Sequence, residues 1–217
     1  MRQNTKFGLI VGFLTVLALI VSLYARFTPR FPADLYLTHR LQSFDSHFLF
    51  SLMQWVSFIF ASWSSVLVVI AISILVWWRI GRLEAIIIPV GGLLTLVNTA
   101  LKLAVNRPRP SADLVHILSE ESGNAFPSGH AFFAIVILGL LAYLVFTNSK
   151  NQTWGTVFLV GLIVLILLIG TSRVYLGVHW PSDVLGGYLT GGVFLAALIW
   201  FHRVWKAHYS VSDNPNK

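Results

Sequence analysis

Residues Val157 to Asp183 read VFLVGLIVLILLIGTSRVYLGVHWPSD. The stretch is uniformly apolar from Val157 to Ile169, then sets down Arg173, His179 and Asp183 before the next apolar run begins. A charge at the edge of a hydrocarbon span costs several kcal/mol unless it is paired or lines a polar cavity, so these three residues point to a working site. Pro181 suits the first turn of a helix, where its fixed φ fits and its missing N–H is not needed. His179 then stands just ahead of that helix and Asp183 in its first turn, from which the carboxylate reaches back to the imidazole. A ring held at one nitrogen by a carboxylate presents the other as a base or nucleophile. Arg173 is placed to hold an anion against that nitrogen.

Working outward, six apolar segments are long enough to cross a bilayer, for which about 20 helical residues are needed. They lie near Phe7–Tyr24, Ser57–Trp78, Ala85–Val105, Pro127–Phe146, Trp154–Ser172 and Pro181–Trp205. The composition agrees: 56% of residues are hydrophobic and 11% charged, with mean hydropathy +0.77, where a soluble domain carries roughly 25% charged residues. The expected fold is all-α, a polytopic membrane bundle of six transmembrane helices, with residues 1–217 forming a single domain. Phe27–Val56 mixes Pro29, Pro32, Asp34, His39 and Arg40 with Leu and Phe, and reads as an amphipathic segment lying in the interface. Residues 106–126 form a loop and residues 206–217 a tail. The first apolar run is read as a span, not a signal peptide. It extends over roughly 18 residues, has bulky residues at its exit and lacks an A-x-A-like cleavage site.

The basic residues set the orientation. With the N-terminus inside, Arg2, Lys6, Arg79, Arg82, Lys150, Arg203, Lys206 and Lys217 fall inside, and Arg26, Arg30, Arg40, Lys102, Arg107, Arg109 and Arg173 outside. Three of the outside residues, Lys102, Arg109 and Arg173, belong to the site discussed below, and removing them leaves a clear excess inside. Both termini are therefore expected in the cytoplasm, with the active site on the extracytoplasmic side of a plasma membrane of bacterial type. In a soluble protein a net charge of +7 would suggest nucleic acid; here the inside bias and an anion site account for it, and no nucleic-acid partner is expected. The chain has no cysteine, so it has neither disulfides nor a thiolate metal site. Nor does it show the clustered carboxylates that Mg²⁺ requires, so no metal and no other cofactor is expected.

Two further clusters lie on the same side as His179. Pro89, Gly91 and Gly92 permit a kink or close contact in the third span, which ends with Asn98 and Lys102. Lys102 and Arg109 are seven apart and share one face of a helix expected to run to about Arg109, where Pro108 and Pro110 end it. Arg107 lies off that face and reads as a solvated or headgroup-facing charge. The fourth span opens with Phe126-Pro127-Ser128-Gly129-His130. Pro127 again suits a helix start, whose free N–H groups and positive dipole make an anion site. Gly129 permits close approach, Ser128 adds a hydroxyl donor, and His130 is placed as a general acid. The loop Asp113–Gly123 reads as exposed, with His116 solvated. Gly187-x-x-x-Gly191 is a packing face. His202 and His208 are expected at the cytoplasmic surface, and Trp77, Trp78, Trp154, Trp200 and Trp205 in interfacial belts.

Lys102-x6-Arg109-Pro110, then Pro127-Ser128-Gly129-His130, then Ser172-Arg173-x5-His179-x3-Asp183 resemble the three signature motifs of the type 2 phosphatidic acid phosphatase superfamily. That superfamily includes membrane lipid phosphatases, soluble bacterial acid phosphatases and vanadium haloperoxidases. The signature covers Lys102 to Asp183 without a departure at a motif position, whereas Met1–Ile80 carries no motif. The resemblance implies that His179 is the nucleophile, forming a phosphohistidine, that Asp183 orients it, and that His130 protonates the leaving group. It implies that Lys102, Arg109 and Arg173 bind the phosphoryl oxygens, helped by Ser128 and the Gly129 N–H, and that no metal is needed. With a membrane-embedded layout, the implied substrate is a lipid phosphate or diphosphate: undecaprenyl diphosphate, phosphatidylglycerophosphate or phosphatidic acid. Two other readings stay open at this stage: a lipid phosphotransferase using the same phosphoenzyme, and a non-catalytic binder or transporter of anionic lipid. The binder has no use for His179 beside Asp183. A haloperoxidase is disfavoured because those enzymes are soluble. The sequence leaves the lipid, the oligomeric state and the organism open.

Because the chain has no cysteine, single cysteines introduced at Ser119 and Ser149 test the orientation without background. A membrane-impermeant thiol reagent on intact cells is expected to label position 119 and spare position 149; the reverse pattern overturns the orientation.

Overall fold

The computed structural model describes residues 2–212, with side chains described for residues 5–61 and 63–208. Residues 213–217 of the expected tail lie outside the described residues. Among the described residues there is no strand, and the helices are α1 (Arg2–Phe27), α2 (Asp34–Gln42), α3 (His47–Ile59), α4 (Ser62–Arg79), α5 (Arg82–Leu93), α6 (Thr95–Val105), α7 (Gly129–Asn148), α8 (Gln152–Tyr175) and α9 (Pro181–Ser212). Five stretches are individually long and apolar enough to cross a membrane: Thr5–Phe27, Arg82–Val105, Gly129–Asn148, Gln152–Tyr175 and Pro181–His208. A sixth crossing requires α3 and α4 together, which are bent by 68° at a short break.

That bend corrects the second expected span. Ser57–Trp78 is one continuous apolar run in sequence, but Phe60 ends α3 and Ala61 is extended at φ −71° and ψ 166°. Ser64 Oγ donates to the Ala61 carbonyl at 3.1 Å and to that of Phe58, and the Phe58 carbonyl takes the Ala61 N–H at 3.1 Å in a tight turn in place of a helical bond. Phe27–Val56 is accordingly not one segment. It holds α2 and most of α3, whose start is capped by Ser46 accepting from the Leu49 N–H. The third expected span is made of α5 and α6, which meet at Leu94 just beyond Gly91 and Gly92. The helix also stops earlier than expected, at Val105. Asn106 adopts a left-handed conformation, φ 53°, and returns its N–H to the Lys102 carbonyl at 2.9 Å. A short amide side chain tolerates that conformation, and Pro108 beyond it prevents any continuation.

Helix α7 is the centre of the bundle. Its Ala131, Phe132, Ala134, Val136, Ile137, Leu140 and Leu144 are fully buried against α5, α8 and α9. The outer faces are the opposite of a soluble protein's: Leu9, Phe13 and Leu19 on α1, Leu67 on α4, and Val157, Val164 and Leu167 on α8 are exposed. Apolar faces of this extent are stable against hydrocarbon, where every backbone polar group is satisfied within its own helix. Without a hydrophobic drive between helices, close packing of small residues holds such a bundle together. Gly187 supplies it between α9 and α7: a Cβ there would stand 2.6 Å from the Ser128 carbonyl oxygen and 2.8 Å from Ala131 Cβ.

Gly187→Ala is therefore expected to destabilise the bundle by about 1–3 kcal/mol, the usual cost of overpacking a close contact. Gly192→Ala, on the same helix with nothing within 4 Å of an added Cβ, should leave stability unchanged or slightly raised. Thermal unfolding of the two purified variants in detergent reads the difference, and equal unfolding temperatures would refute this packing.

Candidate active site

The turn from α8 into α9 builds the site. Helix α8 ends by folding back on itself, with the N–H groups of Val178 and His179 both donating to the Arg173 carbonyl at 3.2 and 3.3 Å. Gly177 makes the reversal at φ 75°, and it lies so close to the His116 carbonyl that no side chain fits. Pro181 is the first residue of α9. Asp183 accepts the Trp180 N–H at 2.8 Å through Oδ2, and the same oxygen stands 3.5 Å from His179 Nδ1. This second contact does not close as a hydrogen bond. His179 and Asp183 are both sealed from solvent. Burial is the chief reason that His179 lies well below the usual histidine range, and Lys102, Arg109 and Arg173 push the same way. The ring is held neutral, with Nε2 turned toward the cations.

Arg109 reaches the site, though not on the helical face expected for it. Helix α6 has ended by then, and the turn through Asn106 and Pro108 carries Arg109 across to the α8–α9 loop. Its Nη1 donates to the Val178 carbonyl at 2.7 Å and stands 3.3 Å from His179 Nε2. Its other nitrogens hold the carbonyls of Gly123 and Ser122 at 3.0 and 3.2 Å. Arg173 is buried at the end of α8, bonded to Ser57 Oγ through Nη1, with Nε left without a partner. Lys102 donates to the Asn124 carbonyl at 2.8 Å, and the Asn124 amide returns to the Lys102 carbonyl at 3.0 Å, which pins the loop to α6.

Helix α7 starts at Gly129, two residues later than Pro127, with Ser128 at its N-cap. The Ser128 N–H donates to the Asp183 carbonyl at 3.0 Å, which docks the α7 start against the α9 start. Ser128 Oγ is buried without a hydrogen-bond partner, a free donor next to a helix N-terminus. His130 is 3.3 Å from the Ser57 carbonyl through Nε2. Its ring lines two cavities. One, of about 660 Å³, is also lined by Lys102, Gly129 and Asn98 together with Val66, Ile70, Leu93, Leu96 and Phe133. The other, of about 640 Å³, is lined by Glu121, Arg173 and Ser57 with Trp55 and Phe58.

Sequence reasoning missed Glu121. It sits in the loop read as plainly exposed, yet its carboxylate bridges Arg109 Nη1 at 2.8 Å and Arg173 Nη2, with Oε2 3.7 Å from His179 Nε2. Burial works to raise its pKa, but Arg173 leads a set of opposing positive groups that hold it at about 2. An ionised carboxylate thus rests where two guanidinium groups and a neutral imidazole converge. No local pattern marks it, because its partners lie far along the chain.

Arg107 corrects the sequence reading outright. It was expected at the surface, but its side chain is completely buried, with Nη1 on Asp183 Oδ1 at 2.6 Å and Nη2 on Asp34 Oδ2 at 3.0 Å. Pro108 and the left-handed Asn106 turn it inward, away from the face it would occupy on a continuing helix. His202 is likewise buried, not exposed: its Nδ1 is 3.1 Å from Tyr143 Oη and its Nε2 is 3.9 Å from Glu84, which also binds Lys206 at 2.6 Å. This cluster ties α9 to α5 and α7, far along α9 from the site. His208 and His116 are exposed, as expected. Among the described residues, no group of three or more His, Cys, Asp or Glu is arranged to hold a metal ion.

A model of the PAP2 superfamily matches residues 84–207, more than half of the chain. Phosphatidylglycerophosphatase B of Bacillus subtilis is 40% identical over 101 residues, covering 44% of this chain and 46% of that protein. Undecaprenyl-diphosphatase of Sulfolobus acidocaldarius is 43% identical over 67 residues, covering 31% of this chain and 28% of that protein. The chain thus spans less than half the length of either curated relative. Among solved structures, a transmembrane PAP2 type phosphatidylglycerolphosphate phosphatase from Bacillus subtilis superposes with a TM-score of 0.77 at 25% identity, covering 89% of this chain and 96% of that one.

Glu121 must leave before another anion can use Arg109 and Arg173, so its charge competes with any such ligand. Glu121→Gln is expected to tighten inhibition by inorganic phosphate about tenfold, the scale of one lost competing ion pair in a partly buried site. Because the carboxyl is ionised above pH of about 2, this gain should not vary with pH near neutrality. Inhibition constants measured at two pH values check both points, and unchanged or weaker inhibition would count against the assignment.

Proposed function

We infer that this chain, which belongs to the PAP2 superfamily, is an integral membrane phosphatase that hydrolyses a lipid phosphate or diphosphate through a phosphohistidine at His179. One observation carries this reading. A neutral, sealed imidazole stands 3.3 Å from the Arg109 guanidinium and shares Glu121 with Arg173, next to cavities lined by His130 together with apolar side chains such as Trp55, Phe58, Val66, Ile70 and Phe133. A phosphoryl group needs its oxygens clamped and a nucleophile in line, and its lipid chains need an apolar groove.

In this mechanism the phosphoryl group displaces Glu121 from Arg109 and Arg173. Lys102, Ser128 Oγ and the free N–H groups at the start of α7 complete the clamp. His179 Nε2 attacks phosphorus in line. The bond from phosphorus to the leaving oxygen breaks, and His130 supplies the proton that makes it an alcohol, or a phosphate when the substrate is a diphosphate. Charge that develops on the imidazole is met by Asp183 at Nδ1. Water then attacks the phosphohistidine and gives a proton to His130, the N–P bond breaks, and inorganic phosphate leaves with His179 and His130 both restored. Protein cations supply the charge stabilisation throughout. The inside bias of basic residues supports cytoplasmic termini and an extracytoplasmic site. The names of the two curated relatives support phosphatidylglycerophosphate and undecaprenyl diphosphate as the first lipids to test.

The purified protein in detergent is expected to release phosphate from members of a lipid mono- and diphosphate panel, with activity unaffected by EDTA. His179→Ala should be inactive on every substrate, including p-nitrophenyl phosphate. His130→Ala should lose about 10²–10⁴-fold on a lipid monophosphate, the range of general acid catalysis, and less on the aryl ester, whose leaving group needs no proton. A wild-type protein silent on the whole panel, or His179→Ala still trapping phosphate in a base-stable, acid-labile bond, would reject the reading. Passage of the group to an added alcohol in place of water would identify a phosphotransferase.

A further inference from the structure

The site rests on a buried ionic chain that the mechanism above uses only at its last link. Asp34, at the start of α2, is 1% exposed and Arg107 is 1% exposed. Asp34 Oδ1 accepts the Ser182 N–H at 2.9 Å. Its Oδ2 takes Ser182 Oγ at 2.7 Å, the Phe31 N–H at 2.6 Å and Arg107 Nη2 at 3.0 Å. Arg107 continues with Nη1 on Ser182 Oγ at 2.8 Å and on Asp183 Oδ1 at 2.6 Å, and with Nε on the Pro29 carbonyl at 3.2 Å. Its guanidinium lies 4.9 Å from the centre of the Phe31 ring. Asp183 Oδ2 then faces His179 Nδ1.

The formal charges along this chain decide its meaning. One guanidinium stands between two carboxylates, which leaves a single negative charge for the imidazole. Were Arg107 paired with Asp183 alone, the pair would be neutral and would lend the Nδ1 side of the ring no net negative charge as the bond to phosphorus forms. In a medium of low dielectric that difference is large, since charges interact far more strongly than in water. A structural requirement alone would not call for a second acid here. Asn at position 34 would still present one oxygen to the Phe31 N–H, Ser182 Oγ and Arg107 Nη2, and the α9 N-terminus already has Asp183 as its own cap.

We propose that Asp34 is a positioning residue for the nucleophile: by taking half of the Arg107 fork it fixes Asp183 and leaves it the negative charge that stabilises His179 as the phosphoryl group is transferred. This rests on the reading of His179 as nucleophile. It makes α2, a segment outside every signature motif, part of the reaction centre's electrostatics.

Two substitutions separate charge from shape. Asp34→Asn keeps the shape and removes the charge; Asp34→Glu keeps the charge and changes the shape. If Asp34 acts through its charge, Asp34→Asn lowers kcat about 10–100-fold with KM little changed, the scale on which outer-shell partners of functional histidines act. Asp34→Glu then retains the larger share of activity. A merely structural role gives the reverse order, and each variant is informative alone should the other fail to fold, as judged by its unfolding temperature in detergent. Orthovanadate, which takes the five-coordinate geometry of the transfer, provides a readout that needs no turnover. Its affinity, followed by ⁵¹V NMR, should fall about 10–100-fold in Asp34→Asn while that of inorganic phosphate changes less than about threefold. Equal loss of both ligands, or no loss of vanadate, overturns the proposal. A wild-type protein that binds vanadate but cleaves none of the lipid panel would instead overturn the phosphatase reading and leave the vanadate comparison to decide the role of Asp34.

Discussion

A guanidinium removed from water must be given counter-charges by the chain, and Arg107 is where this molecule meets that demand. Its side chain has no solvent exposure and lies between Asp34 and Asp183. Breaking a buried pair by deleting one partner typically costs 3–5 kcal/mol, about, because the other charge is stranded. Deleting Arg107 would strand both Asp34 and Asp183, so the guanidinium is what joins the three residues. They come from the start of α2, the turn after α6 and the first turn of α9, so satisfying them draws three distant segments to one point. The start of α7 joins the same point through the Ser128 N–H on the Asp183 carbonyl. His179 is placed at the same point, with its backbone N–H on the Arg173 carbonyl and its ring between Asp183 and Arg109.

The bilayer supplies the second constraint. A polar site at its margin is stable only if each donor and acceptor is paired, and most of them are. The exceptions are informative. Among them, Ser128 Oγ and Arg173 Nε are buried without partners. Both belong to segments that face the phosphoryl site in the proposed mechanism, where a ligand oxygen would satisfy them. Glu121 occupies part of that site in its absence. Its carboxylate relieves the repulsion between Arg109 and Arg173, so the clamp can exist pre-assembled without a bound anion. The loop carrying Glu121 is held at its ends, through Asn124 to Lys102 and through Leu118 to the Leu176 carbonyl, which leaves the acid itself as the part free to change partners.

The fold was legible in the sequence where the signal is local. Apolar length fixes a helix that crosses a membrane, and Pro181 and Gly187 mark where α9 begins and packs. The all-helical bundle follows from those features. The break at Phe60–Ala61 was not legible, because the run stays apolar on both sides of the interruption. Nor was the end of α6: the heptad spacing of Lys102 and Arg109 suggested a shared helical face, whereas a left-handed Asn106 had already ended the helix. Arg109 reaches the histidine by a different path, so a sound grouping of residues came from an unsound geometry. Arg107 and Glu121 were misread for one reason. Their partners lie 73 and 76 residues away for Arg107, and 52 away for the Glu121–Arg173 contact, and single-sequence patterns carry no information at that range.

These two misread residues also show how the charges of the site divide. In the proposed mechanism Lys102, Arg109 and Arg173 serve an incoming anion, with Arg109 3.3 Å from His179 Nε2, while Arg107 lies behind Asp183 and serves the imidazole. Four basic residues close in sequence or space thus have two different tasks, and what separates them is which acid each one faces. Glu121 is exchangeable, partly exposed and set opposite the nucleophile; Asp34 is sealed, bonded by four donors and set behind it. An anion that enters can replace the first and has no route to the second. The clamp can therefore open to substrate while the charge that supports the nucleophile stays constant, which is the condition for transferring a phosphoryl group to a neutral histidine in a medium that tolerates no unbalanced charge.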